Sequence, residues 1–216
     1  MVIYRLDDEL NIFPPPEDAE EDGLLAVGGD LSPARLVNAY LHGIFPWYNE
    51  PPVLWWCPKE RFVIFPREIH ISASMKKFMR KTDWEVRFDT AFPEVMHACR
   101  QLREQEGTWI NDDMEEAYGR LFQLGYASSA EVWDGGRLIG GLYGVRIGRC
   151  FFGESMFSKA PNASKLALIR LAQVLAEAEF AFIDCQFHTD HLESMGGRYI
   201  SLKEYTELVR KYGIPG

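Results

Sequence analysis

Apolar and polar positions fall into three regimes along this chain. Up to about residue 66 the pattern is broken repeatedly by proline, in "FPPPEDAEEDG", "LSPARL", "GIFPWYNEPP" and "WCPKERFVIFP". One clear helix stands among these breaks. "DLSPARLVNAYLHG" offers Ser32 as N-cap, Pro33 at the first helical position and Gly43 just past the last turn. Pro51, Pro52, Pro58 and Pro66 then confine the chain to short extended pieces. These features predict a small α+β unit over residues 1–66, followed by a larger unit over 67–216.

The second regime is helical. "SASMKKFMRK" predicts a short helix capped by Ser72 or Ser74. "TAFPEVMHACRQLRE" and "NDDMEEAYGRLFQLG" are amphipathic, the second with an acidic first turn that suits the helix dipole. The period then drops to two. "SSAEVWDGGRLIGGLYGVRIGRCFFGESMFS" predicts three antiparallel strands turning at Asp134-Gly135-Gly136 and Ile147-Gly148-Arg149. "NASKLALIRLAQVLAEAEF" follows as a helix capped by Asn162 or Ser164, "AFIDCQF" as a strand, then a loop and a last helix from about "SLKEYTELVRKYG". Meander, helix and strand in this order resemble the core of a GNAT-like acyltransferase, an order that many helix-plus-meander domains share, and the fold class expected is α+β with a GNAT-like C-terminal domain.

Composition narrows the class. The 216 residues are long enough for a substantial core, and 47% hydrophobic with 25% charged residues is ordinary for a globular protein. No apolar run approaches the roughly 18–20 residues that span a bilayer, and the acidic start "MVIYRLDDELNIFPPPEDAEEDG" lacks the apolar stretch of a secretory signal. Cys57, Cys99, Cys150 and Cys185 lack metal-binding spacing and read as free thiols of a reducing cytoplasm. A net charge of −9 argues against a general nucleic-acid binder. Against that background the helix "SMKKFMRK" stands out, with Lys76 and Arg80, and Lys77 and Lys81, one turn apart; such a cluster is either a solvated face or a phosphate dock.

The candidate chemistry begins with Glu154, a lone carboxylate in the apolar strand "FFGESMFS". Burial there demands a partner or a function. Asp184 and Gln186 in "FIDCQ" share one face by the period of a strand and place a carboxylate and an amide beside an apolar setting. A satisfied buried network is the alternative. Cys185 with a histidine is a weak nucleophile pair, and His188, Asp190 and His191 lack a closing set of metal ligands, so these histidines read as loop residues. Trp47 after Pro46 and Trp109 in "EGTWINDD" fit no amphipathic period; they are hydrophobic plugs or a pair of plates for a nucleobase.

Taken together, "GGDLSPARL", "GIFPWY", "LWWCP", "GTWI", "GGLYGV", "FFGESMFS", "NASKLAL" and "IDCQ" resemble, in order and through nearly the whole chain, the leucyl/phenylalanyl-tRNA–protein transferases. The resemblance implies transfer of leucine or phenylalanine, methionine less well, from aminoacyl-tRNA to proteins with N-terminal arginine or lysine, marking them for N-end-rule degradation. It implies no cofactor and no metal. Trp47 and Trp109 would hold the 3′-terminal adenosine. Leu142, Phe151, Met156, Leu168 and Ile183 would form the amino-acid pocket, Lys76, Lys77, Arg80 and Lys81 would meet the tRNA body, and Glu154, Asp184 and Gln186 would be catalytic. Asp184 would draw off the α-amine proton, Gln186 would position or bind the oxyanion, and Glu154 would attract the acceptor's cationic side chain or hold the reacting groups. The chain departs from the family pattern at Thr189, where asparagine is expected, and at "SMGG" over 194–197. A coenzyme-A-dependent N-acetyltransferase would need a glycine- and arginine-rich pyrophosphate loop where this chain has "FSKAPNASK". A non-catalytic RNA- or peptide-binding adaptor would make the paired polar residues expendable.

Overall fold

A computed structural model describes residues 3–103 and 110–214. The first elements are β1 (Tyr4–Leu6), β2 (Leu24–Gly28), α1 (Pro33–Leu41), β3 (Phe45–Pro46) and β4 (Leu54–Trp56). Their four strands form a sheet of order β1-β2-β4-β3. Helix α1 starts as its sequence predicts: the Ser32 side chain accepts from the Arg35 N–H, and Pro33 occupies the first turn. Its apolar face buries Leu36, Ala39 and Tyr40. Arg35 is buried as well, donating through Nη2 to the carbonyls of Asp7 and Asp8, which ties the N-terminal segment to the helix.

The larger sheet collects β5 (Glu60–Ile64), β6 (Glu85–Phe88), β7 (Ala127–Asp134), β8 (Arg137–Ile147), β9 (Cys150–Ser158), β10 (Phe182–Asp184) and β11 (Arg198–Ser201). Its order is β11-β5-β10-β9-β8-β7-β6. Every pairing is antiparallel except β9 with β10. Around it lie α2 (Ala73–Met79), α3 (Phe92–Arg103), α4 (Asp112–Gln123), α5 (Ala163–Glu177), α6 (Asp190–Glu193) and α7 (Leu202–Tyr212). Leu142, Phe151 and Ile183 pack with α5 on one face, whereas Tyr143, Val145 and Phe152 pack with α3 and α4 on the other. Helices on both faces bury nearly every side chain of β8, although its neighbours are antiparallel.

Four local expectations change. Strand β5 precedes residue 66 yet pairs with β10 and β11, so the larger sheet begins at Glu60. The strand expected over "AFIDCQF" stops at Asp184, and the segment after it holds α6 and β11 rather than a plain loop. Helix α2 ends at Met79, leaving Arg80 as its C-cap and Lys81 beyond it. At the start of α5, Asn162 has a left-handed φ of 74° and makes no side-chain cap. Ser158 serves instead, its Oγ accepting from the Ser164 N–H at 3.3 Å.

Candidate active site

The parallel strands β9 and β10 pair over Phe182↔Cys150, Ile183↔Phe151 and Asp184↔Phe152, and the ladder then stops. Beyond Phe152 the two strands part, and the gap between them opens into a cavity of about 290 Å³. This is just below the small end of the usual ligand-pocket range of roughly 300–1,000 Å³.

A β-bulge aims the side chains of β9. Gly144 faces Gly153 and Tyr143 faces Ser155, so Glu154 is the extra residue. Phe151 and Met156, an odd number of positions apart, therefore both line the cavity. Leu142, Leu168 and Ile183 join them, along with Leu171 and Leu192, to make an apolar wall. All five residues expected for the amino-acid pocket thus lie on one wall system. The polar lining comes from Glu154, Ser155, Gln186, Thr189 and His191, and Phe45, Trp47 and Phe187 are among the remaining residues of the wall.

Glu154 is half-buried and accepts from two hydroxyls of otherwise buried tyrosines. Tyr40 on α1 donates to Oε1 at 2.6 Å, and Tyr118 on α4 reaches Oε2 at 3.1 Å. The two tyrosine hydroxyls also contact each other. Burial pushes the Glu154 carboxyl up to about 7, against the lowering effect of both tyrosine bonds. Neither tyrosine stands out in the sequence, where each occupies an ordinary apolar helical position.

Asp184 lies elsewhere. It is fully buried, does not line the cavity, and pairs with a fully buried Arg61 at 3.0 Å. Tyr205 of α7 donates to its Oδ2 at 2.7 Å, and the backbone N–H of Gln186 donates to Oδ1 at 2.9 Å. The face that period two assigns jointly to Asp184 and Gln186 is not formed. The strand ends at Asp184, and Gln186 turns through a left-handed φ of 56°. Such backbone is uncommon for a residue with a Cβ, and Asp184 holds it in place. Gln186 and Cys185 both reach the cavity wall as a result. The Gln186 side-chain amide has no hydrogen-bond partner among the described residues.

Arg61 also donates to the Gly43 carbonyl at 2.9 Å and lies over the rings of Phe45 and Tyr205. His191 is on α6 and lines the cavity, with burial lowering its pKa. His188, Asp190 and Glu193 bring ligating atoms within 4.8 Å of one another, and His188 already bonds Glu193 at 3.0 Å. Cys185 is half-buried at the cavity wall with its thiol pushed upward by desolvation, which leaves it a poor nucleophile.

Trp47 is 41% exposed, with its ring 5.6 Å from those of Trp56 and Phe187. Trp109 lies outside the described residues. Lys76, Lys77, Arg80 and Lys81 are all exposed. Among the described residues no helix is long and apolar enough to cross a membrane.

Two family models match the chain: leucyl/phenylalanyl-tRNA protein transferase over residues 63–210, and the N-terminal domain of the same transferase over 29–59. A leucyl/phenylalanyl-tRNA–protein transferase of Syntrophus aciditrophicus is 55% identical over 203 residues, covering 93% of this chain and 85% of that protein. One from Thiobacillus denitrificans is 54% identical over 212 residues, covering 94% and 93%. Among solved structures, L-PGS from Bacillus licheniformis has a TM-score of 0.41 at 12% identity, covering 79% of this chain and 57% of that one. An aminoglycoside acetyltransferase from an uncultured soil metagenomic sample has 0.34 at 13% identity, covering 47% and 77%.

Proposed function

The chain belongs to the leucyl/phenylalanyl-tRNA–protein transferase family, and from that premise we propose how its site does the work. It is an aminoacyltransferase that moves an amino acid from tRNA to a protein. The donors are leucyl-tRNA and phenylalanyl-tRNA, with methionine used less efficiently. The acceptors are cytoplasmic proteins with N-terminal arginine or lysine, marked in this way for N-end-rule degradation. The observation that carries this reading is a cavity that joins an apolar wall of Leu142, Phe151, Met156, Leu168 and Ile183 to the polar groups of Glu154 and Gln186.

The aminoacyl side chain packs against the apolar wall. Such a pocket discriminates by fill, at about 1–3 kcal/mol per methylene, and isoleucine or valine, branched at the β-carbon, should fail by shape. Trp47, exposed at the cavity, supports one face of the terminal adenosine, and Trp109 is proposed for the other. The exposed cations at 76, 77, 80 and 81 take the phosphates of the tRNA body, positioning it without reading its sequence.

The ester is already activated, and the attacking α-amine has an ordinary pKa of about 7.7–8, so much of it is neutral at cytoplasmic pH. The site must orient amine against carbonyl and stabilise the tetrahedral oxyanion. Gln186, with its amide uncommitted at the cavity, is the donor for that oxyanion. Asp184 works through it as a positioning residue, fixing the left-handed turn that delivers the amide. Glu154 faces the reacting groups. Its carboxyl, about half protonated near pH 7, makes a poor fixed anion for an acceptor's guanidinium.

The test is transfer of radiolabelled leucine from leucyl-tRNA to a peptide beginning with arginine, beside an alanine-initial peptide and isoleucyl-tRNA as controls. Label on the arginine peptide from leucine alone is expected. Equal transfer from isoleucyl-tRNA would remove the pocket assignment, and no label on any peptide would remove the reaction.

A further inference from the structure

Glu154, Tyr40 and Tyr118 put three oxygen pairs in contact: each tyrosine hydroxyl with one carboxyl oxygen, and the two hydroxyls with each other. Each pair needs one hydrogen. Two tyrosines supply two, so with Glu154 ionised one pair faces oxygen to oxygen with nothing between. With Glu154 protonated the ring closes in one direction: Oε2–H to Tyr118, Tyr118 to Tyr40, and Tyr40 to Oε1. Every oxygen in that ring is then satisfied, as buried polar groups generally are.

From this geometry we infer that Glu154 is the proton carrier of the reaction, taking the proton of the attacking amine and giving one to the departing ribose oxygen, with Tyr40 and Tyr118 as the positioning residues that hold it ready. The inference rests on the transferase reading above. The acceptor nitrogen forms a bond to the ester carbon. The ester C–O bond then breaks, its electron pair going to the ribose oxygen, which takes the Glu154 proton. The proton left on the new C–N nitrogen returns to the Glu154 carboxylate. Protons balance, and no further reactant is needed.

The other polar groups in and behind the cavity wall are less suited to this task. Asp184 is sealed in its ion pair, and an amide such as Gln186 is too weak a base. Cys185 has its thiol pushed up by burial, and His191 has its basicity reduced. The charged and titratable groups around Glu154 are Tyr40 from α1, Tyr118 from α4 with Tyr143 of β8 beside it, and more distantly Asp184 of β10 and Arg61 of β5. Of these, desolvation dominates and sets Glu154 near neutrality, where a proton carrier is most effective.

A donor whose leaving group needs no proton isolates the step. Phenylalanine is attached to tRNA either by its natural ester or as a thioester to a 3′-thio-3′-deoxyadenosine terminus, whose sulfur departs as thiolate. Single-turnover transfer to an arginine-initial peptide is followed for wild type and Glu154→Gln. The substitution is expected to slow the oxygen ester by about 10²–10⁴-fold, the usual range for a general acid or base, and the thioester by less than tenfold. Equal losses on both donors, or no loss on the oxygen ester, would overturn the inference while leaving the transferase reading intact. A wild-type enzyme inert with both donors would overturn both. The tyrosines have their own readout. The wild-type rate should trace a bell, because neutral amine grows with pH up to about 7.7–8 while protonated Glu154 declines above about 7, so the top lies between those values. Both tyrosine bonds lower the Glu154 pKa, so Tyr40→Phe and Tyr118→Phe should each move the top of the bell to higher pH. Lower rates with that top unmoved in both variants would mean the tyrosines serve the fold alone, and would also overturn the inference.

Discussion

Asp184 has both carboxyl oxygens filled by Arg61, Tyr205 and the Gln186 N–H, at full burial. Removing one member of such a pair leaves the other charge unpaired in the interior, at a cost of roughly 3–5 kcal/mol. Asp184→Ala should therefore lose stability of that order in urea titration, and its activity falls with its fold. Arg61→Met combined with Asp184→Leu should recover most of the stability without the activity, because the Gln186 turn has lost its acceptor. A double variant as unstable as the single one would mean that the ion pair is not the source of the loss. The sequence marks Asp184 as unusual, an acidic residue closing an apolar strand. It gives no sign of Arg61, 123 positions away, because local pattern says nothing about which distant charge answers a buried one. Tyr40 and Tyr118 are hidden for a related reason: helical period fixes which way a ring points, and leaves open where its hydroxyl ends.

At the scale of elements, what local chemistry governs is legible and what pairing governs is not. Ser32 and Pro33 begin α1 as capping rules require, and the paired glycines at 135–136 and Gly148 close the β7–β8 and β8–β9 hairpins. Strand β11 is missed, and β5, read as a short extended piece, is assigned to the wrong unit, because each is held by distant partners and their short runs carry no period of their own. The bulge at Glu154 is the sharpest case. Strict alternation would separate Phe151 from Met156, and the inserted residue brings them to one cavity. Gly43 shows the reverse, a position whose identity is legible and whose strictness is not. The sequence reads it as a helix stop. In the fold it has a φ of 75°, a Cβ there would sit 2.8 Å from Tyr205 Cε1, and its carbonyl accepts from Arg61. Tyr205 is fully buried and held by Asp184, so it has no room to yield. Gly43→Ala should cost about 2 kcal/mol or more through backbone strain and crowding together, read as a lower denaturant midpoint at unchanged slope. A midpoint equal to wild type would show that the loop moves freely at this point.

Across the whole molecule, the two sheets share their polar anchors. Arg61 joins Gly43, which leads from α1 to β3, with β10 and α7, and the Glu154 ring joins α1 to α4 and β9. The small sheet is therefore expected to have no independent melting. A scanning calorimeter should record one transition with equal van't Hoff and calorimetric enthalpies, and two resolved transitions would contradict that sharing. The guanidinium of Arg61 has a consequence for how the enzyme fails as well. Because Arg61 both ties the two sheets together and holds the Asp184 that fixes the turn beneath the cavity, losing its contacts should remove fold and function together. Heat, denaturant or proteolysis within the first sheet should extinguish catalysis and structure along a single shared curve, so that each surviving molecule is a competent one.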